Sequence, residues 1–465
     1  MKNQQKSAGS GRSGRIIMSI GKRFRSIYFS DAPLTEKDYK TSRTWSIFEG
    51  ISEKAIFYLT SGAFLAGFVS YLGGGDSFNG LIGALPVFAG IVQLISPILL
   101  EKMEKRKMLV SFLCFFHRFL LSLMVFIPYM AKGQSARLAL VAIIYFVSLI
   151  SVNFIYPAAS GWLIDLTPKS IRGKFFGSRE SYVLGIATIV TIVMSRVLDM
   201  YKTAGNVYGG FILVFLCAGA FSVINFITYS SMKEPPVKRD KSNINLKKIV
   251  TIPLKDKKFR KIILLYIFWN IGVQVGAPFL AVYMVTGLKL SYTYIMSVTI
   301  LSTLVNVLTV RIWGNIADKR SWAYVIKLSI LILALTHFTW LFVNAQTADF
   351  LVPVLQITSG LAWAGIGIST FNIQFAYSPE EGRTVYIGFN AALGGLIGFL
   401  STLAGAFFIG VFKDLKLSIS GFTFGNMQIV FAISGILLAV CVAYIHIFIK
   451  EAQKNHGAPD RADTE

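Results

Sequence analysis

Two short stretches, PILLEKMEKRK at residues 97–107 and GNIADKR at residues 314–320, repeat each other's pattern about half a chain apart. Each ends an apolar run and places an acidic residue beside a basic cluster. A second pair keeps the same spacing in both copies: Pro168, Arg172 and Gly177 against Pro379, Arg383 and Gly388. Such a doubled polytopic chain is typical of transporters, in which two related halves move around a site between them.

The composition predicts a membrane protein. Of 465 residues, 54% are hydrophobic and 15% are charged, and the mean hydropathy is +0.60. Apolar runs long enough to cross a bilayer must be helical, because no water in lipid can satisfy a backbone amide. We therefore predict an all-α polytopic membrane protein with twelve transmembrane helices. These spans, numbered 1 to 12, cover about 51–71, 80–100, 108–130, 138–164, 177–197, 208–231, 262–286, 292–314, 324–343, 351–376, 385–411 and 422–449.

The spans divide into two pseudo-symmetric six-helix domains. We predict a basic N-terminal segment at 1–46, a first domain at 47–232, a basic linker at 233–261, a second domain at 262–449 and a tail at 450–465. The linker contains the Pro235-Pro236 pair and 11 basic against 3 acidic residues, as expected of a polar connection. Basic and apolar residues interleave at 12–28, which fits either an amphipathic helix on anionic lipid or a disordered tail.

The net charge of +23 follows the membrane topology. If both termini are cytoplasmic, the inner segments carry 36 Lys and Arg and the outer loops carry seven. This asymmetry predicts an integral, multi-pass plasma membrane protein with both termini in the cytoplasm and its basic side on the anionic inner leaflet. The charge is thereby explained without a nucleic-acid partner, since charge alone supports only non-specific nucleic-acid contact.

Motifs of enzymes and cofactor sites are absent from the sequence. Neither Gly-Lys pair, at 21–22 and 173–174, continues into a phosphate-binding loop, and no His-Glu-x-x-His or Gly-x-Ser-x-Gly occurs. Four histidines and three single cysteines lie too far apart in sequence to predict a metal site or a disulfide. We expect neither catalysis nor a cofactor or metal, and we expect the protein to be a monomer.

The two repeated stretches resemble the loop that follows span 2 in the major facilitator superfamily. The second copy keeps Gly314, Asp318, Lys319 and Arg320, whereas the first has Pro97 and Glu101 in place of the family's Gly and Asp. The resemblance covers essentially residues 47–450. It implies a two-domain carrier that works by alternating access, and says little about the substrate.

In that family, spans 1, 4, 7 and 10 usually line a central cavity. Helical spacing then selects polar and aromatic side chains that share a face of span 4, 7 or 10. The predicted substrate-binding residues are Asn153, Tyr156, Tyr266, Trp269, Asn270, Gln274, Gln356, Trp363 and Gln374, with Thr370 on the same stripe. Uncharged amides interleaved with aromatic rings suit a neutral polar solute such as a sugar or glycoside. The alternative is that the amides only make bonds between helices.

Charged residues inside the spans are few, so each needs an explanation. Arg118 lies about ten residues into span 3, with no acid at similar depth in another span. Its partner could be a carbonyl, cavity water, an anionic substrate group, or a carboxylate nearer the cytoplasm such as Glu49 or Glu53. These two acids are candidates for proton coupling, although we expect both to be exposed near the interface.

The repeated loops also predict a cytoplasmic gate. Pseudo-symmetry places Asp318 near the start of span 5 and Glu101 near the start of span 11 when the two halves close together. A helix start carries about half a positive charge, so a carboxylate there is stabilised. Further ion pairs across the same seam are expected from Arg172, Arg383, Lys319 and Arg320. The alternative is that these basic residues serve topology alone.

The sequence therefore favours a secondary-active or facilitative carrier of a small neutral polar solute. One alternative is a proton-coupled exporter of drugs or other lipophilic compounds. Span 5 contains no Pro, whereas many exporters of that kind carry a Gly-Pro pair there. Another alternative is a membrane sensor that has a carrier-like body and does not transport.

Overall fold

The computed structural model describes residues 24–30, 32–100, 103–168, 170–236, 246–379, 383–419 and 422–449. Within these ranges, ten helical segments are long and apolar enough to cross a membrane. Spans 1 and 2 each consist of two helices in series, which is consistent with twelve spans in total. The prediction of an all-α, polytopic fold is confirmed.

The first half contains spans 1 to 6. Span 1 comprises Glu36–Leu59 and Gly62–Tyr71, and span 2 comprises Asp76–Ala89 and Val92–Leu100. Spans 3 to 6 are Lys107–Met130, Gln134–Asp165, Arg172–Thr203 and Val207–Ser231.

The second half follows a linker that includes the helix Leu246–Lys255. Span 7 comprises Arg260–Gln274, Ala277–Val282 and the π-helical turn Tyr283–Gly287. Spans 8 to 12 are Tyr292–Lys319, Trp322–Phe342, Ala348–Tyr377, Arg383–Val411 and Asn426–Phe448. A hairpin of strands β1, Lys416–Ile419, and β2, Phe422–Gly425, connects the last two spans and was not predicted.

Span 1 begins well before its apolar run because local polar chemistry starts the helix. The Thr35 hydroxyl accepts a hydrogen bond from the Asp38 amide, and the Asp38 carboxylate accepts one from the Thr35 amide at 2.9 Å. This capping box satisfies two amides that a helix start leaves without partners. Residues 24–28 of the basic N-terminal segment are also helical, whereas residues 1–23 and 450–465 lie outside the described chain.

The helix ends define two faces of the molecule. We call the face that holds the start of span 1, the linker and the end of span 12 the basic face, and the other the opposite face. One buried apolar cluster includes Phe64, Phe215 and Tyr292 and so joins the halves toward the opposite face. Toward the basic face, separate clusters lie within each half, around Trp162 in the first and Trp269 in the second.

Among the described residues, the halves therefore share a buried cluster toward the opposite face and none toward the basic face. The hydrogen bonds that join them follow the same division: Ser77 donates to the Ala406 carbonyl at 2.8 Å, and Thr286 donates to the Asp76 carboxylate at 2.9 Å. Both pairs lie where spans 2, 7 and 11 approach the opposite face. The structure is closed on that side and opens on the basic face.

Close packing of spans 8 and 10 generates a stability prediction. A methyl group at Gly360 would overlap the Ser302 carbonyl, whereas Gly367, two turns further along span 10, has open space around its Cα. Gly360→Ala should lower the unfolding free energy by about 1–3 kcal/mol, since overpacking shifts the backbone. Thermal unfolding of the purified protein would measure this loss. The control Gly367→Ala should be neutral or slightly stabilising, because Ala favours a helix. Equal melting temperatures for the two variants would contradict the packing.

Candidate substrate cavity and gates

The two halves come into close contact where span 2 crosses span 11. The Val87 carbonyl lies 3.0 Å from where a methyl group on Gly395 would stand, and Phe88 packs on Phe399 with ring centroids 4.5 Å apart. Glycine at this crossing allows the two backbones to approach closely. The crossing therefore closes the space between the halves, and we call it the floor of the candidate cavity.

The first half contributes two amides beside this floor. Gln93 follows the crossing on span 2 and donates from its amide nitrogen to the Asn153 oxygen of span 4, at 2.5 Å. The Asn153 nitrogen donates to the Leu149 carbonyl at 2.8 Å. Tyr156, three residues along span 4, is 52% exposed. The sequence predicted Asn153 and Tyr156 but missed Gln93.

The second half contributes amides from span 7 that pack on neighbouring glycines of span 11. Asn270 donates to the Tyr266 carbonyl at 2.8 Å, and its amide lies 3.0 Å from the Cβ position of Gly394. The Gln274 side chain lies 3.2 Å from the corresponding point on Gly398. Both side chains are half-buried. The predicted shared face of span 7 thus lies at the crossing with span 11.

Aromatic and amide contacts join spans 7, 10 and 11 nearer the basic face. Trp269 and Trp363 pack edge to face with centroids 5.6 Å apart, and Trp363 is 41% exposed. Gln374 donates to the Tyr266 hydroxyl at 2.6 Å and accepts from Asn390 at 3.1 Å. Asn390 is fully buried, and its own oxygen has no hydrogen-bond partner among the described residues.

Gln356 does not belong with this group. It precedes Gln374 by 18 residues on one continuous helix, a separation of about 27 Å at 1.5 Å per residue. A small solute cannot contact both side chains. The stripe predicted along span 10 is therefore divided: Trp363, Thr370 and Gln374 lie toward the basic face, and Gln356 lies in the half of the span nearer the opposite face.

A buried charge cluster occupies the first half. Glu49 has no exposed surface, and one of its oxygens pairs with the Arg179 guanidinium at 2.8 Å. Arg118 lies 3.8 Å from the other Glu49 oxygen and 4.0 Å from Glu53, and it donates to the Asn225 amide oxygen at 2.7 Å. Two guanidinium groups thus face two carboxylates, which offsets part of the cost of burying charges in a low-dielectric interior.

This cluster corrects one expectation and resolves another. Glu49 was expected to be exposed near the interface, but Ser46, Arg179 and Asn225 enclose it, because the helix of span 1 begins further back than predicted. The partners of Arg118 are Glu49 and Glu53, two of the candidates that the sequence left open. Glu53 itself is 49% exposed.

Arg179 was missed, although the repeat contains a signal for it. It stands seven residues after Arg172, and Asn390 stands seven residues after Arg383, so the two occupy equivalent positions in the repeated pattern. Both are buried: Arg179 pairs directly with Glu49 of span 1, and Asn390 is linked to Tyr266 of span 7 through Gln374. Extending the repeat beyond its glycine would have pointed to both residues.

Two of the predicted gate residues at the basic face, Arg172 and Arg320, contact residues of their own half. Arg172 donates to the Ile164 and Thr167 carbonyls within its own half, and Arg320 stacks on Tyr324 at 5.5 Å. Asp318 and Lys319 are exposed. Glu101 and the side chain of Arg383 lie outside the described part of the chain. Because this face is open, the gate predicted for its closed form stays a prediction.

The opposite face contains the contact that was predicted for the other side. Asp199, at the end of span 5, accepts hydrogen bonds from the Tyr292 and Thr293 amides that start span 8, at 2.8 and 2.7 Å. The Lys202 ammonium lies 5.6 Å from the Tyr292 ring. A carboxylate on a helix start gains both charged hydrogen bonds and the helix dipole. Asp199 therefore holds the two halves together on this side.

Comparisons with known proteins assign the architecture. A sequence model of the Major Facilitator Superfamily matches residues 54–402, which include both repeated loops. The chain belongs to this superfamily. A search of curated protein sequences finds no significant match.

Solved structures of the superfamily fold agree at low sequence identity. The nucleoside transporter NupG superposes with a TM-score of 0.67 at 14% identity, covering 87% of this chain and 99% of that one. A D-xylose-proton symporter gives 0.63 at 13%, covering 88% and 98%. A bacterial homologue of the iron transporter ferroportin, in an inward-facing state, gives 0.65 at 13%, covering 89% and 99%. The chain is thus an integral, multi-pass membrane protein with a transporter fold.

Substitutions of Asp199 and Asp318 should shift the equilibrium between the two openings of the protein in opposite directions. Asp199→Asn should weaken closure of the opposite face by about 1 kcal/mol, roughly a fivefold change in population. Asp318→Asn should instead favour opening of the basic face. Spin-label distances across each face would measure both shifts, with Asp414→Asn, an exposed change on the opposite face, as control. Distances that do not differ between Asp199→Asn and the control would contradict the role of Asp199.

Proposed function

We propose that this protein is a carrier that moves a small neutral polar solute, such as a sugar or glycoside, by alternating access. The observation that carries the proposal is the uncharged layer at the cavity floor, where Gln93, Asn153, Asn270 and Gln274 flank the crossing of spans 2 and 11. Amides both donate and accept hydrogen bonds, as hydroxyl groups require. The exposed faces of Tyr156 and Trp363 suit the apolar side of a ring.

Alternation between the two openings follows from the two kinds of helix-start contact. In the state described here, Asp199 holds the opposite face closed and the basic face admits solute. In the other state, Asp318 and Glu101 would hold the basic face closed through the starts of spans 5 and 11. Solute binding at the floor would favour the rocking of one half against the other, provided that the solute binds the intermediate states more tightly than the open states.

We further propose that the basic face lies in the cytoplasm, at the plasma membrane, and that the protein works as a monomer. The support for this orientation is the concentration of Lys and Arg on that face.

Glu53 is the better candidate for proton coupling. Glu49 pairs with Arg179 and is fully buried, whereas Glu53 lines an open cleft of ≈ 230 Å³ with Lys54, Arg179 and Glu180. Glu53 is therefore accessible to water and still lies 4.0 Å from Arg118. Protonation of Glu53 would leave Glu49 as the remaining ionic partner of Arg118, which links the proton to the arrangement of spans 1, 3 and 5.

Substitutions at the floor test the substrate site. Asn270→Ala or Gln93→Ala should raise the half-saturation concentration about 2- to 10-fold, since each lost hydrogen bond is worth roughly 0.5–1.5 kcal/mol. Uptake into proteoliposomes would measure this for a sugar first identified by thermal shift, because a bound ligand stabilises the folded protein. Gln346→Ala, an exposed change in the loop between spans 9 and 10, is the control and should leave the value unchanged. Floor variants that match the control would remove the floor from the site.

A second substitution tests coupling. Glu53→Gln should abolish solute accumulation driven by a pH gradient and leave counterflow exchange intact, because exchange needs no net proton movement. Glu180→Gln, in the same cleft, should change neither activity. Normal accumulation by Glu53→Gln would exclude Glu53 as the proton carrier.

A further inference from the structure

A cleft at the basic face opens beside the lipid-facing side of the first half. It is ≈ 320 Å³ in volume and lies between the N-terminal segment, the start of span 3 and the end of span 6. Its apolar wall is formed by Ile27, Phe226 and Ile227, and its polar end by Ser230, Lys107 and Lys233. A smaller adjoining cleft shares Ile27, Lys107 and Lys233 and adds Lys105 and two acids, Asp38 and Glu234.

Lys107 is the unusual residue of this cleft. It is 3% exposed, and its ammonium donates no hydrogen bond to any other residue that the structure describes. The Tyr28 ring lies 5.6 Å away, held in place by a 2.6 Å hydrogen bond between the Tyr28 and Ser230 hydroxyls. A cation–π contact offsets only part of the cost of burying an ammonium group.

Neither nearby acid hydrogen-bonds to the Lys107 ammonium. The Asp38 carboxylate accepts hydrogen bonds from the Thr35 amide and hydroxyl, at 2.9 and 2.6 Å. The two Glu234 oxygens accept hydrogen bonds from the Arg106 and Lys107 backbone amides, at 2.8 and 3.0 Å. Burial raises the pKa of the Glu234 carboxyl, against the effect of these two amides and the neighbouring cations. Lys233 adds a second ammonium to the same cleft. The Lys107 and Lys233 ammonium groups therefore face the same space. Among the described residues, neither of them is hydrogen-bonded to a carboxylate.

We propose that this cleft binds the phosphate of one anionic phospholipid, with the Lys107 and Lys233 ammonium groups on the phosphate and an acyl chain along Phe226 and Ile227. A phosphate diester supplies the acceptor oxygens and the negative charge that the lysines lack. The apolar wall favours a lipid over free phosphate, since Ile227 is 50% exposed beside the polar end. The proposal builds on the placement of the basic face at an anionic leaflet and assigns one discrete site there.

Such a lipid would tie the N-terminal segment to the first half. Lys105 donates to the Ser30 carbonyl at 2.5 Å, and Tyr28 is bound to span 6 through Ser230, so both flanks of the cleft involve residues 24–30. A phosphate between Lys107 and Lys233 would reduce the repulsion of the two cations and stabilise this junction.

Binding can be measured on the purified full chain in detergent by native mass spectrometry, with short-chain phosphatidylglycerol as the probe. Wild type should retain one tightly bound lipid. Lys107→Gln combined with Lys233→Gln should weaken this binding at least about tenfold, because two charge-assisted contacts are lost. Lys132→Gln combined with Lys413→Gln, two exposed changes on the opposite face, is the charge-matched control and should retain the lipid.

Three further arms separate the possible outcomes. Phosphatidylcholine with the same chains should bind more weakly than phosphatidylglycerol, and inorganic phosphate should not compete at millimolar concentration. Effective competition by inorganic phosphate would identify free phosphate, and not a lipid, as the ligand. Equal retention of the lipid by both double variants would overturn the site. If Lys107→Gln prevents folding, Lys233→Gln alone should weaken binding and Lys107→Arg should retain it; no change in the first would also overturn the site. None of these measurements depends on transport.

Discussion

The absence of water in the membrane interior is the constraint on which this structure depends. Every backbone amide in a span must find its partner within the protein, so any interruption of a helix has to lie against another part of the chain. Spans 1, 2 and 7 are interrupted, near Ser61, Gly90 and Gly276. The last two interruptions lie against span 11, where Gly395 and Gly405 allow the Val87 and Val275 carbonyls to approach. The contact of Val87 with Gly395 joins the two halves, so part of their interface is built on backbone that could not face lipid.

The two halves share a design and differ in chemistry. In the first, spans 1 and 5 are joined by Glu49 and Arg179, and Arg118 extends the cluster to span 3. In the second, Tyr266 and Asn390 occupy the corresponding spans and are joined through Gln374. The charges lie between spans 1, 3 and 5 of the first half, whereas both halves contribute uncharged amides to the cavity floor. This arrangement supports the proposed division between Glu53 and the cavity floor.

One kind of electrostatic contact serves on both faces in the proposed cycle. A carboxylate at the end of one helix binds the amides that start a helix of the other half, as Asp199 does with span 8. Near water such a contact is worth only about a kilocalorie per mole, so it can hold a face closed and still be exchanged during each cycle. A deeply buried ion pair between the halves would cost several kcal/mol to separate. This explains why the buried charges lie within one half rather than between the two.

The sequence alone determined the membrane class, the spans and the family, because these follow from hydropathy, from the positions of Lys and Arg, and from a local motif repeated at residues 97–107 and 314–320. Helical spacing also placed Asn270 and Gln274 on one face of span 7, since that relation is local. The tertiary structure decided which distant residues meet: Gln93 with Asn153, Arg118 with Glu49, and Asp199 with the start of span 8. It also separated Gln356 from Gln374, because one stripe on a long helix extends over far more length than one solute can contact. Hydrophobic periodicity predicts the helix face on which a side chain lies, whereas the partner of that side chain depends on how the helices pack.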